Sequence, residues 1–386
     1  MNHDCFHEWA PVGEVLAVVS YLHVKKTACM GLHGICQPSG SVPAAVLRGD
    51  SARRVHCAAV NTIRCEQTVQ RGSGDPSSIA LNFADMKVVT FRHKHQPTAG
   101  LVLAEGILPL AAAAEAAGES VELSSVLDII RGGEAALEAC QRLAGRAGEG
   151  WVELVPLAQA PLLAPIPAPT RNIFCVGRNY VDHVKEGAAT LKVDLKLPEA
   201  PQFFTKATRT VIGPGADVRL DKKVTLRLDY EVELALVIGR GGRDIAPAAA
   251  FEHIFGYSIA NDVTARDLQR RHDQWFKGKS LDTTLPFGPW IIDREELGDP
   301  TTLELSMTIN GEERQRARVA QMIFDIPHII ASLSAGLTLE PGDVIATGTP
   351  SGVGFAMNPP QFLRGGDEMV ARIDRIGELR NRVVEV

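Results

Sequence analysis

The peptide Asp229-Tyr230-Glu231-Val232-Glu233-Leu234-Ala235-Leu236-Val237-Ile238-Gly239 constrains this chain more than any other stretch. Its second half is apolar and rich in β-branched residues, and Gly239, Gly241 and Gly242 close it, which is the pattern of a buried strand. Side chains alternate between the two faces of a strand, so Glu231 and Glu233 share one face. Two like charges beside a buried run repel and lose hydration, a cost of several kcal/mol unless something neutralises them. A divalent cation is the usual remedy. Further along, Asp262 follows a second apolar strand over 255–260, and Gly278-Lys279-Ser280 supplies a lysine. Three carboxylates and one lysine so close in sequence read as a hard-metal site with an electrophilic helper.

The remaining composition narrows the alternatives. At 386 residues the chain has room for two or three domains. A net charge of −6 gives no electrostatic footprint for nucleic acid or an anionic membrane. No apolar run approaches the roughly 20 residues of a spanning helix, so neither a membrane nor a nucleic-acid partner is expected, and a cytoplasmic location is. Residues 1–85 differ from the rest: they hold five of the seven cysteines and five of the eleven histidines. Their spacings match no zinc pattern, and Asp4 and Glu8 precede the apolar 15–19 where a signal peptide needs basic residues. They read as a disordered or extraneous extension, a redox or metal-binding segment being the alternative. Met86 opens a good first strand, and the working protein is expected to begin there.

Residues 86–160 read as a small α/β unit: strands over 87–92 and 99–105 around a turn at Gln96-Pro97, an Ala-rich 110–117, helices over 125–131 and 133–144, and a strand over 151–157. Four prolines then mark 161–170 as an extended linker. The remaining 171–386 is β-rich. Strands are expected over 172–176 and 201–206, a hairpin turns at Asn310-Gly311, a helix covers 325–333, and strands over 368–373 and 377–386 end the chain. After the first of these strands, His183 and Glu186 fall at i and i+3 of a helix. That spacing suits a histidine oriented by a carboxylate, and equally a surface ion pair. Asp262 reads either as a ligand or as the N-cap of a following helix. Gly278-Lys279-Ser280 lacks the glycine spacing of a P-loop, and Gly239-Arg240-Gly241-Gly242 runs into no apolar helix, so neither is a nucleotide motif.

Five motifs occur in a fixed order: Gly177-Arg178-Asn179-Tyr180 with His183 and Glu186, Tyr230-Glu231-Val232-Glu233-Leu234, Asn261-Asp262-Val263-Thr264-Ala265-Arg266-Asp267-Leu268-Gln269, Gly278-Lys279-Ser280, and Gly348-Thr349-Pro350. Together they resemble the fumarylacetoacetate hydrolase family, in its bacterial-type acylpyruvase and 2-hydroxyhepta-2,4-diene-1,7-dioate isomerase-like branch. The resemblance covers 170–386 closely and 86–160 loosely. It implies an α+β, β-rich fold, a mixed β-sandwich roll with a small N-terminal α/β domain, and a homodimer. Carried over by position, Glu231, Glu233 and Asp262 are the metal ligands, for Mg²⁺ or Mn²⁺, with Ca²⁺ as another occupant. His183 and Glu186 are the water-activating dyad on a lid helix, and Lys279 is the active-site lysine. Arg178, Tyr180, Arg266, Gln269, Thr283 and Thr349 contact substrate. The founding enzyme's fourth ligating aspartate has no counterpart in Phe174-Cys175-Val176.

The implied chemistry is hydrolysis of a C–C bond in an acylpyruvate or β-diketo acid resembling fumarylacetoacetate or fumarylpyruvate. The cation would stabilise the departing enolate while His183, held by Glu186, deprotonates water. Decarboxylation or isomerisation of an unsaturated 2-oxo diacid, as in aromatic-compound catabolism, needs the same enolate and is the alternative. A metal-dependent binding protein without catalysis is the remote third.

Overall fold

The computed structural model describes residues 86–386; the expectation for 1–85 lies outside the described residues. These residues form three sheets. The first is ten-stranded and built from β1 (Lys87–His93), β2 (Gln96–Leu103), β3 (Gly106–Pro109), β4 (Ile173–Gly177), β5 (Gln202–Lys206), β6 (Val211–Ile212), β9 (Val232–Ile238), β10 (Ile254–Asn261), β12 (Leu285–Asp293) and β15 (Val344–Ala346). A second, of five strands, contains β7 (Asp217–Leu220), β13 (Glu304–Ile309), β14 (Glu312–Arg318), β16 (Glu368–Ile373) and β17 (Gly377–Glu385). The third is the short pair β8 (Leu228–Asp229) and β11 (Thr264–Ala265). The β-rich α+β expectation holds.

The large sheet runs in the order β3-β2-β1-β12-β10-β9-β15-β4-β5, so β9, which contains Glu233 and directly follows Glu231, lies well inside it. Both faces of β9 are covered, which is why its sequence reads as a continuous apolar run. Leu234, Leu236 and Ile238 join a core shared with Leu305, Met307 and Ile373 of the five-stranded sheet. Ala235 and Val237 face a second core with the helices α1 (Leu110–Ala117) and α2 (Val126–Gly145). Glu233 is in phase with the latter pair.

β1 pairs with β12, so the sheet continues from the N-terminal segment into the rest of the described chain. The proline-rich stretch is laid along this join. Arg92 N–H donates to Pro161 O at 2.9 Å and Leu163 N–H to Thr90 O at 2.9 Å, and Ala164 and Ile166 are buried. Two local expectations change, the first turn and the strand over 151–157. The first hairpin turns at Lys94-His95, both at positive φ, and Gln96-Pro97 belong to β2. Pro97 is tolerated because β3 pairs only with Gly100 to Leu103 and asks nothing of its missing N–H. The two helices expected over 125–131 and 133–144 lie within α2, which a non-helical Gly133 (φ 56°, ψ −138°) divides in two, and a capping box between Ser125 and Asp128 starts the first. The strand expected over 151–157 contributes a single bridge, Val155 to Ile107, before Pro156 stops the ladder. The Asn310-Gly311 hairpin forms as expected, with both residues at positive φ.

Candidate metal centre

Pairing between β9 and β10 assembles the carboxylates. Glu233 lies opposite Ala260 and Val232 opposite Asn261. Just beyond, the Asn261 side chain accepts from Glu231 N–H at 3.0 Å, and Asp262 N–H donates to Glu231 O at 2.8 Å. Asp262 is thereby set beside Glu231 and is no helix cap; the next helix, α4 (Arg266–Arg271; α3 is Val181–Leu191), is capped by Ala265. Glu231, Glu233 and Asp262 are all buried, and one oxygen from each falls within 4.8 Å of the others.

Three cations surround them. Lys279 sits on α5 (Phe276–Lys279), which packs on α4 so tightly that a Cβ at Gly278 would stand 2.4 Å from Gln269 N. Its Nζ donates to Glu231 Oε2 and Asp262 Oδ2, both at 2.7 Å. Arg266 reaches Glu231 Oε1 through Nη1 at 2.6 Å and Asp229 Oδ2 through Nε at 2.8 Å. Lys206, fully buried at the end of β5, forms an ion pair with Asp262 Oδ1 at 2.8 Å and donates a hydrogen bond to Val263 O at 2.9 Å; Asp262 Oδ1 accepts no hydrogen bond among the described residues. Glu233 forms no ion pair among the described residues; its one bond accepts Gly348 N–H at 2.7 Å.

The electrostatics follow. Burial raises the pKa of Glu231, but Lys279 and Arg266 together outweigh it and bring the carboxyl down to about 2. Glu233 is pushed well above the usual carboxylate range, first by burial and then by Asp262 and Glu231. Burial lowers the Lys206 ammonium although Asp262 opposes it. For Lys279 the pull of Asp262 and Glu231 overcomes burial, and its pKa rises. A buried all-oxygen triad with one uncompensated carboxylate fits a hard divalent cation.

His183 of the His–Glu pair lines the same cavity as Glu231 and Glu233. It lies on α3, which follows β4 through Arg178 at φ 57°. Buried Asn179 anchors this turn, donating to Phe324 O and Thr347 O and accepting from Phe324 N–H. His183 Nδ1 meets Glu186 Oε1 at 2.8 Å, and Glu186 Oε2 accepts Gly352 N–H at 2.9 Å. Tyr230 OH donates to Gly352 O at 3.1 Å, so the loop holding the dyad is tied to the segment carrying Glu231 and Glu233. A Cβ at Gly352 would stand 1.9 Å from Arg314 O, and its φ is 102°, which leaves glycine as the residue that fits.

The cavity measures about 340 Å³. His183, Glu231, Glu233 and Lys279 line it, as do Arg178, Arg266, Gln269 and Thr349 among the predicted substrate contacts. Phe204, Trp275 and Phe355 form aromatic walls. Two predicted contacts are not on its wall. Tyr180 is buried, its hydroxyl has no partner among the described residues, and burial followed by Glu233 raises its pKa. Thr283 spends its hydroxyl accepting Arg219 N–H at 2.8 Å. Sequence reasoning missed Lys206, Asp229 and Arg270. Asp229 accepts from Tyr230, Gly354 and Phe355 N–H as well as Arg266, and Arg270 lines the cavity.

Comparison with known proteins gives concordant results. Residues 172–384 match the fumarylacetoacetate hydrolase C-terminal family model. The oxaloacetate tautomerase YisK of Bacillus subtilis is 50% identical over 227 residues, 59% of this chain and 74% of that one. The human mitochondrial oxaloacetate tautomerase FAHD2A is 39% identical over 249 residues, 64% of this chain and 77% of that one. Among solved structures, a fumarylacetoacetate hydrolase from Exiguobacterium antarcticum superposes with TM-score 0.62 at 39% identity, covering 78% of this chain and all of that one. A maleylpyruvate hydrolase from Sphingobium sp. SYK-6, in complex with manganese(II) and pyruvate, gives TM-score 0.62 at 29% identity, covering 78% of this chain and 99% of that one.

Proposed function

The chain belongs to the fumarylacetoacetate hydrolase family, and on that premise we propose that it is a divalent-metal enzyme interconverting the keto and enol forms of a short 2-oxo diacid such as oxaloacetate. The observation that carries this reading is His183, held by Glu186, lining the same cavity as Glu231 and Glu233 of the carboxylate triad. The name of the 50%-identical relative supports the choice of tautomerisation and of oxaloacetate.

Glu231, Glu233 and Asp262 would hold Mg²⁺ or Mn²⁺. Bound there, the ion supplies Lewis acidity toward the oxygen on which negative charge develops. The chain's own groups do the rest. Nδ1 of His183 is committed to Glu186, so Nε2 is the nitrogen left to take a proton from the carbon next to the keto group and to return it. Lys279 offers a donor toward the same developing charge. Arg178 and Arg270 bring positive charge to the wall of the cavity, where a second carboxylate would seek it. The aromatic walls limit access of water.

C–C hydrolysis of an acylpyruvate is the second reading, favoured by the likeness to the maleylpyruvate hydrolase. The same His183 would then deprotonate water. The test is Mg²⁺-dependent exchange of the oxaloacetate C3 hydrogens with deuterium, followed by NMR. Exchange above the uncatalysed rate, lost in His183→Ala, supports the tautomerase; no acceleration sinks it.

A further inference from the structure

Each carboxylate of the triad has one oxygen already engaged by a group belonging to the folded scaffold. Glu231 Oε1 is ion-paired with Arg266 at 2.6 Å and Asp262 Oδ1 with Lys206 at 2.8 Å, while Glu233 Oε2 accepts a hydrogen bond from Gly348 N–H at 2.7 Å. The holders are themselves fixed. Arg266 is pinned by Asp229, and Lys206 is fully buried and tied to Val263 O. The second oxygens are Glu231 Oε2 and Asp262 Oδ2, which both accept from Lys279, and Glu233 Oε1, which has no donor among the described residues. Lys279 plays a different part, because its Nζ bridges two of those second oxygens.

We propose that Lys206, with Arg266 and the Gly348 amide, restricts the centre to one oxygen per carboxylate and so selects Mg²⁺ or Mn²⁺ over Ca²⁺. The reason is coordination number. Mg²⁺ demands six short, near-octahedral bonds and accepts single oxygens and water, whereas Ca²⁺ takes six to eight oxygens and readily binds a carboxylate through both. A carboxylate whose second oxygen faces a buried ammonium cannot turn to chelate without breaking an ion pair in a dry interior. Lys206 is the critical member because it guards Asp262 from the side opposite Lys279 and contributes nothing to the cavity wall. Lys206 is thus a positioning residue. The inference rests on the triad being a metal centre.

The experiment titrates the full-length protein, without substrate, with Mg²⁺, Mn²⁺ and Ca²⁺ by calorimetry. Lys206→Met removes the donor and Lys206→Gln keeps one. Wild type is expected to prefer Mg²⁺ and Mn²⁺. Losing a group that orients a ligand costs roughly 10–100-fold in metal affinity; in Lys206→Met that loss should fall on Mg²⁺ and spare Ca²⁺, shrinking the preference by about tenfold or more. Lys206→Gln should retain it. An unchanged preference in Lys206→Met, or a wild type favouring Ca²⁺, overturns the proposal. Wild type that binds none of the three ions overturns the metal reading itself. Should Lys206→Met fail to fold, the carboxylate infrared bands of Mg²⁺-loaded wild type decide: one-oxygen ligation is expected, and a chelating signature refutes it.

Discussion

Replacing Glu186 with Gln probes the His183–Glu186 pair without touching the carboxylate triad. Glu186 holds two bonds at once, His183 Nδ1 at 2.8 Å and Gly352 N–H at 2.9 Å, one on each carboxylate oxygen. A glutamine has one acceptor oxygen, so it can satisfy one of these donors and presents an NH₂ group to the other. The lost interaction is a partly buried hydrogen bond to a charged group, worth about 1.5–3 kcal/mol. If all of it is felt as His183 gains its proton in the transition state, kcat falls roughly 13- to 160-fold. Glu186 touches none of Glu231, Glu233 and Asp262, so Mg²⁺ affinity should not change. Oxaloacetate tautomerisation followed by loss of enol absorbance, alongside calorimetric Mg²⁺ titration, measures both. A wild-type rate refutes the orienting role, and a parallel loss of Mg²⁺ binding shows that the residue acts through the metal centre instead.

Glu233→Gln removes the one triad carboxylate without an ion pair, and Mg²⁺ binding should be abolished. Wild type should gain about 2.7 kcal/mol of stability at Mg²⁺ a hundredfold above Kd, visible as a rise in Tm that the variant lacks. Gly352→Ala places a methyl group against Arg314 O and should displace the loop that holds Glu186, lowering kcat with Mg²⁺ affinity intact. Leu236→Ala, in the middle of β9, should cost about 2–5 kcal/mol, read from urea unfolding. A chain beginning at Met86 should fold and keep Mg²⁺ binding, because β1 starts at Lys87 and every residue placed in the centre lies beyond it; failure to fold counts against the boundary.

The glutamate pair was legible because strand alternation is a local rule, and because a carboxylate beside an apolar run demands an explanation. Asp262 was ambiguous until register resolved it: only the pairing of β9 with β10 brings it to Glu231. Lys206 gave no signal, since a lysine ending Gln-Phe-Phe-Thr-Lys looks like any solvent-facing strand end. Its burial depends on β5 packing against residues far along the chain, and local pattern carries no such information. Asp229 stood in the opening peptide yet was passed over, because its partners Arg266, Gly354 and Phe355 come from distant loops. Thr283 was placed near substrate by resemblance of position, and the structure commits its hydroxyl to Arg219. The Gln96-Pro97 turn failed for a simpler reason: proline marks a turn only where no strand position can spare its N–H.

The central claim, a metal-dependent proton transfer on a 2-oxo diacid, is tested most directly by offering the Mg²⁺-loaded protein oxaloacetate, acetylpyruvate and fumarylpyruvate in parallel and analysing products by NMR. The expected result is rapid keto–enol equilibration of oxaloacetate, dependent on His183 and on Mg²⁺, with the carbon skeleton intact. Cleavage of the acylpyruvates with no acceleration of oxaloacetate tautomerisation would contradict it and make the protein a C–C hydrolase.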